Sequence, residues 1–167
     1  FWCIEAVFEN LVGVVKVKSG YSGGVKENAN YQAVASGKTK HAEICEIQFD
    51  PNSISYQTLL KVFFLAHDPT QINQQGNDIG PQYRSIIFYQ NEYEKNLINT
   101  HINSLKEENI YNNIVTEIQS FDKFYPAENY HQNYYNNNSS QPYCSFVIRP
   151  KLIKLREVLK KYYVTKN

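Results

Sequence analysis

Apolar residues recur at helical spacing in four stretches of the chain, and this pattern predicts four amphipathic helices. The four sets are, in chain order, Ile4, Val7, Phe8 and Leu11; Leu59, Leu60, Phe63 and Phe64; Leu97, Ile98, His101, Ile102 and Leu105; and Leu152, Leu155, Val158, Leu159 and Tyr162. Gly13 follows the first set at a position that suits the end of a helix, and Ser53 or Ser55 could cap the second. The fourth set predicts a closing helix from Lys151 to Tyr163.

Short apolar runs bounded by turn residues lie between these helices, which is typical of β-strands. The runs are 14–18, 44–49, 85–89 and 114–118. The order helix, strand, strand, helix, strand matches a βαββαβ ferredoxin-like unit that lacks its first strand. We therefore expect an α+β fold: a ferredoxin-like two-layer sandwich whose first strand would lie ahead of Phe1, followed by an irregular C-terminal segment and the closing helix.

Length and composition favour one folded domain. The chain has 167 residues, of which 42% are hydrophobic, so we expect a single domain over residues 1–167 and not a disordered chain. Lys and Arg number 17 against 16 Asp and Glu, which leaves no electrostatic reason for nucleic acid or an anionic membrane as partner. Because no apolar run approaches the roughly 18 residues of a membrane helix, we expect a soluble protein.

The beginning of the chain and its cysteines are unusual. The sequence contains no Met and starts at Phe1, so we expect the translated protein to begin further upstream, where a targeting signal could also have been located. Cys3, Cys45 and Cys144 are widely spaced and odd in number, which argues against a disulfide scaffold. Free thiols favour a cytoplasmic protein. No Cys or His pair has the spacing of a zinc site.

Two of the cysteines have positions that suit redox chemistry. Cys3 lies in the first turn of the first predicted helix, where the helix dipole favours a thiolate; a small buried apolar residue is an equally good interpretation. Cys144 follows the polar stretch 136–140, which we predict to be an exposed, mobile loop. It could travel to another thiol and form a disulfide, or it could be a semi-buried structural thiol. Cys45 lies inside an apolar strand, where a core position is the better interpretation.

Glu43 and the loop 76–85 are the remaining candidates for chemistry. Glu43 stands at the start of a predicted strand, where an inward-facing carboxyl must be protonated or well bonded and could then donate a proton. An ordinary surface carboxylate at a strand end is the more common case. The loop is dense in hydrogen-bonding side chains just ahead of a strand, a frequent place for binding residues, although a plain turn also fits it.

Several short motifs follow one another in an order that is typical of one protein family. They are Phe1-Trp2, Gly20-Tyr21-Ser22-Gly23-Gly24, His41-Ala42-Glu43, His67-Asp68-Pro69-Thr70, Gly76-Asn77-Asp78, Gln82-Tyr83-Arg84-Ser85, Ala127-Glu128 and Tyr130-His131-Gln132. Through these motifs the chain resembles the A-type methionine sulfoxide reductases, from Phe1 to about Ile148. The hallmark of that family is Gly-Cys-Phe-Trp at the end of the first strand, and this sequence holds the Phe-Trp part.

The resemblance implies where the reactive thiols and the apolar wall lie. The nucleophilic cysteine of the family immediately precedes the Phe-Trp pair, so here a cysteine, a selenocysteine or a substitute would immediately precede Phe1. The missing strand and the missing Met favour its omission from the sequence over its true absence. Phe1 and Trp2 would form the apolar wall that receives the substrate's methyl group. Cys144 would be the resolving cysteine, with Cys3 as the other candidate for that role.

The resemblance also implies the polar groups of the site. Glu43 would be the acid that protonates the sulfoxide oxygen. Tyr31 and Tyr83 would donate hydrogen bonds to the same oxygen, and Asp78 would help to orient the site.

The activity implied by the resemblance is thiol-dependent reduction of methionine-S-sulfoxide, free or in proteins. The sulfoxide sulfur becomes a good electrophile when its oxygen accepts a proton, so a thiolate and an uncharged acid must share one pocket. Oxygen passes to the nucleophile as a sulfenic acid, a resolving thiol converts this to a disulfide, and thioredoxin or a similar dithiol reduces the disulfide. No metal or organic cofactor is required.

Two other functions compete with this interpretation. If the residue before Phe1 is truly absent, the chain would be an inactive protein whose pocket binds methionine-like side chains. A thiol peroxidase that uses Cys3 is the weaker alternative, because the motifs around Glu43 and Tyr83 would then have no purpose.

Overall fold

The computed structural model describes residues 1–163, and residues 164–167, which end the predicted domain, lie outside this range. The helices are α1 (Trp2–Phe8), α2 (Tyr31–Ala35), α3 (Tyr56–Ala66), α4 (Glu92–Glu107), α5 (Tyr134–Asn137) and α6 (Arg149–Val158). The strands are β1 (Val14–Ser22), β2 (Ala42–Phe49), β3 (Gln74–Gln75), β4 (Asp78–Ile79), β5 (Ile86–Tyr89), β6 (Glu117–Ser120) and β7 (Tyr125–Pro126). Short 3₁₀ turns include Pro81–Tyr83 and Asn129–His131, and a π-helical turn, Cys144–Ile148, leads into α6. None of the helices within residues 1–163 has the length and apolar character to span a bilayer.

The strand β1 is the centre of a three-stranded antiparallel sheet, with β2 on one side and β7 on the other. The register pairs Tyr21 of β1 with Glu43 of β2 and with Tyr125 of β7. A Cβ atom on Gly20 would collide with the ring of Phe124. Glycine at this position therefore allows the segment that leads into β7 to pack closely against β1. The register therefore brings the start of β2, with Glu43, to the same end of the sheet as β7.

A second pair of strands, β5 and β6, is parallel, with α4 as the crossover helix between them. Parallel neighbours require such a crossover, whereas β3 and β4 form an antiparallel hairpin. The predicted mixture of helices and strands is confirmed. The ferredoxin-like sandwich is not confirmed, because the strands within residues 1–163 form three separate sheets and not one four-stranded sheet.

The predicted apolar stripes pack into two main clusters. The larger cluster joins α1, α3 and α6 and includes Val7, Phe8, Leu11, Leu59, Leu152, Leu155 and Leu159. The smaller cluster lies between α3 and α4 and consists of Leu60, Phe64, Ile98 and Ile102. His101 is half-buried, with its ring centroid 5.4 Å from that of Phe64. The larger cluster fixes α1, and with it the residues Phe1 and Trp2, against the rest of the protein.

The observed elements differ from the predicted ones at several boundaries. The closing helix, predicted from Lys151 to Tyr163, begins at Arg149 and ends at Val158, and a 3₁₀ turn, Lys160–Tyr162, follows it. The first helix begins at Trp2 and ends at Phe8, earlier than its apolar spacing indicates. The strand expected at 114–118 is instead β6, because the amide of Val115 donates to the carbonyl of Pro69, at 2.8 Å, and so lies outside the strand pair. The polar stretch 136–140 is not wholly a loop, because its first two residues belong to α5.

Candidate active site

A cavity of about 470 Å³ collects most of the residues that the sequence singled out. Those that line it are Phe1, Trp2, Cys3, Tyr31, Glu43, Asp78 and Tyr83. His131 and Tyr143 line it as well, although neither had an assigned role. Cys144 is not among the residues that line the cavity.

Glu43 points into the cavity from the start of β2. Its side chain is only 7% exposed, and its Oε2 accepts a hydrogen bond from the backbone nitrogen of Phe1, at 3.2 Å. The surface carboxylate that is common at strand ends is therefore not what the structure shows. A carboxyl in this position faces Phe1 and is largely withdrawn from water.

Tyr83 is held in the 3₁₀ turn Pro81–Tyr83 beside Glu43. The neighbouring guanidinium of Arg84 fixes this turn, because its Nη1 donates to the carbonyl of Pro81 at 2.8 Å and its Nη2 to the carbonyl of Lys40 at 3.1 Å. One side chain thus joins the turn that carries Tyr83 to the segment that leads into Glu43. Burial, followed by the nearby Glu43 carboxyl, raises the pKa of Tyr83, so its hydroxyl is a hydrogen-bond donor at neutral pH.

Tyr31 is the first residue of α2, at the mouth of the cavity. Asn30 caps this helix by accepting a hydrogen bond from the amide of Ala33, at 3.0 Å. The amide of Tyr31 donates to Oε1 of Glu128, at 2.8 Å. The Tyr31 ring centroid lies 4.7 Å from that of His131, and the residue is 38% exposed. Tyr31 is therefore the most open of the polar groups that were predicted for the site.

Trp2 forms the centre of an aromatic cluster on the other side of the cavity. Its ring stacks on that of Tyr134, with centroids 3.6 Å apart and an interplanar angle of 4°. The ring of Tyr143 meets it edge-on, at 5.6 Å. The indole N–H donates to Nδ1 of His131, at 3.1 Å. The indole is therefore held by one stacked ring, by one edge contact and by a hydrogen bond at its nitrogen.

His131 is the neutral acceptor of that bond. It is 2% exposed, and burial lowers its pKa. Because Nδ1 accepts from Trp2, the ring proton is on Nε2, which lies 4.0 Å from Oε2 of Glu128. The ring of Phe1 packs 5.0 Å from that of His131, so the same imidazole supports both residues of the predicted apolar wall.

Asp78 lies between the polar and the aromatic sides of the cavity. Its Oδ2 accepts a hydrogen bond from the hydroxyl of Tyr143, at 2.8 Å. Burial, and then the bond to Asp78, raises the pKa of Tyr143, so this hydroxyl is a permanent donor. The hairpin of Asp78 is attached to the end of α3 by Gln75, whose side-chain amide bonds both the N–H and the carbonyl of Asp68, at 3.0 and 3.1 Å.

The three cysteines are all free, and their surroundings differ. Cys3 is half-buried and lines the cavity. Cys45 points its Sγ at the carbonyl oxygen of Phe1, at 3.5 Å, and burial raises its pKa to about 12. It is half-buried and lines the cavity, so it is not the core residue that its apolar strand predicts. Cys144 is fully buried in the π-helical turn, and burial raises its pKa. Of the two interpretations that the sequence leaves open for Cys144, this position agrees with a structural thiol and would require a movement of the chain for a resolving one.

Sequence reasoning missed part of the site. Glu128, which bonds Tyr31, belongs to a motif that the sequence analysis quoted, so its signal was available. Tyr134 and Tyr143 had no predicted role, because nothing local in the sequence indicates their contacts with Trp2. In the part of the chain that the structure describes, no group of three His, Cys, Asp or Glu side chains is arranged to hold a metal ion.

Comparisons with known proteins agree on one family. The model of the family described as peptide methionine sulfoxide reductase matches residues 1–163. A relative from Acinetobacter baumannii (strain AYE), named peptide methionine sulfoxide reductase MsrA, is 53% identical over 93% of this chain and 88% of its own length.

Two solved structures are also similar to this chain. The crystal structure of Mxr1 from Saccharomyces cerevisiae in reduced form is 30% identical, with a TM-score of 0.78 over 86% of this chain and 83% of that one. Methionine sulfoxide reductase A of Corynebacterium diphtheriae is 32% identical, with a TM-score of 0.71 over 82% and 70%.

Proposed function

The chain belongs to the peptide methionine sulfoxide reductase family, and we propose that the cavity beside Phe1 and Trp2 is its active site. The protein reduces methionine-S-sulfoxide to methionine in a thiol-dependent reaction, as the family does. The observation that carries the assignment is the position of the Glu43 carboxyl, 7% exposed and facing Phe1. An acid in this place can donate a proton to a sulfoxide oxygen without competition from bulk water.

In the proposed first step, a nucleophilic thiolate attacks the sulfoxide sulfur while Glu43 gives its proton to the sulfoxide oxygen. The S–O bond breaks, oxygen passes to the thiol as a sulfenic acid, and the sulfide of methionine leaves. Tyr31 and Tyr83 donate hydrogen bonds to the oxygen as its charge develops. Phe1 and Trp2 hold the methyl group in an apolar surrounding.

We place the nucleophile on the residue bonded to the nitrogen of Phe1. That nitrogen lies 3.2 Å from Oε2 of Glu43. The α-carbon of the preceding residue is two covalent bonds from the same nitrogen, so it lies close to the acid. The same residue would precede α1, whose N-terminus favours a thiolate. The alternative of an inactive methionine-binding protein is not favoured, because the whole described chain matches the reductase family.

In the proposed second step, the thiol of Cys144 attacks the sulfenic acid, which forms a disulfide and releases water. A dithiol protein such as thioredoxin then reduces the disulfide by two-electron exchange and restores both thiols. Cys144 is fully buried, so this step requires the π-helical turn to open. Cys3 already lines the cavity and is the competing candidate.

The resolving cysteine is identified by two matched variants, Cys144→Ser and Cys3→Ser. We expect Cys144→Ser to form one methionine per protein molecule and then to stop when thioredoxin is the only reductant, whereas Cys3→Ser continues. The measurement is methionine released with time, by chromatography. Continued turnover by Cys144→Ser, with arrest of Cys3→Ser, would give the resolving role to Cys3.

The proposed activity is tested with a peptide that carries one methionine sulfoxide as separated S and R epimers. The full-length protein is incubated with each epimer and dithiothreitol, and methionine is quantified by chromatography. We expect conversion of the S epimer and none of the R epimer. Equal conversion of both epimers, or of neither, contradicts the proposed function.

The finer description of the fold and the location of the protein are also proposals. We propose that a strand ahead of Phe1 completes a ferredoxin-like sandwich; the antiparallel β1–β2 pair and the parallel β5–β6 pair are compatible with it. A structure of the chain with its upstream residues tests this. We propose a cytoplasmic location on the basis of the three free cysteines, and cell fractionation tests it.

A further inference from the structure

Glu5 is a buried carboxylate that the proposed mechanism does not use. It lies in α1 and is 1% exposed. Its Oε1 accepts a hydrogen bond from the amide of Asn133, at 2.9 Å, and its Oε2 from the amide of Tyr134, at 3.2 Å. A buried carboxyl is costly unless it is hydrogen-bonded. Both carboxyl oxygens of Glu5 are bonded to one short backbone segment, which indicates a specific role.

The segment that Glu5 binds has a backbone conformation that needs support. Asn133 has a φ of 51°, in the left-handed region that favours glycine, and Tyr134 begins α5. The two amides that meet Glu5 lie at this first turn, where a helix has no backbone acceptors of its own. Glu5 supplies the acceptors from another helix, 128 and 129 residues away in sequence.

Glu5 is connected to the cavity through Trp2. The two residues are three positions apart on α1, so they lie on the same side of the helix. Tyr134, which Glu5 holds by its backbone, stacks on the Trp2 ring with a centroid distance of 3.6 Å. Tyr134 therefore connects the Glu5 carboxylate, which bonds its backbone, to the Trp2 indole, which stacks on its ring.

We propose that Glu5 is a positioning residue that holds Tyr134 against Trp2 and so sets the shape of the apolar wall that receives the substrate's methyl group. Glu5 does not touch the substrate and moves no proton in the reaction. The inference rests on the proposed function in one respect, because it takes the Trp2 side of the cavity as the methyl-binding wall. It follows that loss of the Glu5 contacts should weaken substrate binding more than it slows chemistry.

The main test is Glu5→Gln, which keeps the shape of the side chain but replaces one acceptor oxygen with an NH₂ group. The matched control is Glu9→Gln, one turn further along the chain, since the carboxylate of Glu9 bonds the side chain of Asn136, at 3.3 Å, and no backbone amide within residues 1–163. Trp2 is the one tryptophan of the chain, so its fluorescence reports on the stack directly.

We expect Glu5→Gln to change the Trp2 emission and to raise the KM for methionine sulfoxide by about tenfold, the size of effect that loss of one aromatic contact gives. The kcat should stay within about twofold, because Glu43 and Tyr83 are not disturbed. Glu9→Gln should match the wild type in emission and KM. A merely structural role for Glu5 would lower stability and leave the KM of the folded fraction unchanged.

A double-mutant cycle tests whether Glu5 acts through Tyr134. Tyr134→Leu removes the stacking ring, so adding Glu5→Gln to it should raise KM by little more. Full additivity of the two effects, or wild-type emission and KM in Glu5→Gln, overturns the proposal.

The unsubstituted protein provides a readout that does not depend on how the variants fold. The amide protons of Asn133 and Tyr134 should exchange slowly with solvent. Rapid exchange of both would show that Glu5 does not hold this segment and would overturn the proposal. Fluorescence and exchange need no substrate, so they decide the role of Glu5 even if sulfoxide reduction fails. Absence of reduction in the wild-type protein would instead count against the proposed function.

Discussion

The two sides of the cavity are built in different ways. The polar wall, Glu43 and Tyr83, is fixed by sheet register and by the hydrogen bonds of Arg84 to backbone carbonyls. The aromatic wall, Trp2 with Tyr134 and Tyr143, is held mainly by ring packing between residues about one hundred and thirty or more positions apart, supported by the bonds of Trp2 to His131 and of Tyr134 to Glu5. Directional bonds to the backbone suit a proton donor, whose distance to the reacting atom must be constant. Ring packing suits a surface that only has to exclude water from a methyl group. We therefore expect changes in the polar wall to act mainly on kcat, and changes in the aromatic wall mainly on KM.

The largest predicted effect tests the polar wall. Glu43→Gln removes the proposed proton donor while preserving size, so kcat should fall by about 10²- to 10⁴-fold, with little change in KM. Steady-state kinetics measure this, and circular dichroism checks that the fold is intact. The control is Glu46→Gln on the same strand, whose carboxylate is 36% exposed and pairs with Lys18. Unchanged turnover in Glu43→Gln would refute the acid role.

The next prediction concerns His67, whose ring connects the end of α3 to Ser85. His67 donates from Nδ1 to the carbonyl of Phe63 and accepts at Nε2 from the hydroxyl of Ser85, both at 2.7 Å. Burial lowers its pKa from 6.5 to about 4, so the folded protein keeps it neutral. The His67 ring of the unfolded chain takes up a proton below pH 6.5. The contribution of His67 to the free energy of unfolding is therefore fully present above that pH and decreases as the pH falls towards 4.

The contribution of His67 to this acid sensitivity is about 3 kcal/mol across the window. His67→Asn, which keeps a donor for the Phe63 carbonyl, should lose less free energy of unfolding on acidification than the wild type. Urea denaturation at several pH values measures it. Parallel pH profiles for the two proteins would show that another group carries the acid sensitivity.

The smallest predicted effect concerns the bond that joins the two walls. Tyr143→Phe removes the hydroxyl that donates to Asp78 but keeps the ring beside Trp2. We expect a loss of about 1 kcal/mol of stability and a decrease in kcat/KM of about threefold to tenfold, with the Trp2 emission unchanged. Tyr93→Phe, at a site that is 68% exposed, is the control. A large change in Trp2 emission would mean that the hydroxyl also holds the aromatic wall in place.

The difference between the walls also explains which parts of the molecule the sequence could predict. Glu43 and Tyr83 lie in short continuous motifs, and the family resemblance carried by those motifs nominated both, whereas local spacing alone favoured a surface carboxylate for Glu43. The apolar stripes of the helices were predictable from spacing, because a helical period is a local property. The partners of Trp2 were not predictable in this way, since Tyr134 and Tyr143 are brought to it only by the path of the whole chain.

The burial of Cys144 shows the limit of the local reading most clearly. A stretch rich in Asn and Ser does predict an exposed segment, and Ser139 and Ser140 are exposed. The turn that follows packs Cys144 and Ile148 into the larger core cluster, a tertiary contact with no counterpart in the polar sequence ahead of it. The difference between the predicted four-stranded sheet and the observed separate sheets has a similar origin. Strand propensity is a local property and does not specify which strands pair with each other.

The π-helical turn at Cys144 has a consequence for how the thiol meets small oxidants and alkylating reagents. A wide turn of this kind is uncommon and is often found at functional sites. While it is closed, the sulfur of Cys144 is screened from peroxide and iodoacetamide, and only its opening admits them. The rate at which this sulfur is labelled in the resting protein therefore measures how often the turn around Cys144 opens.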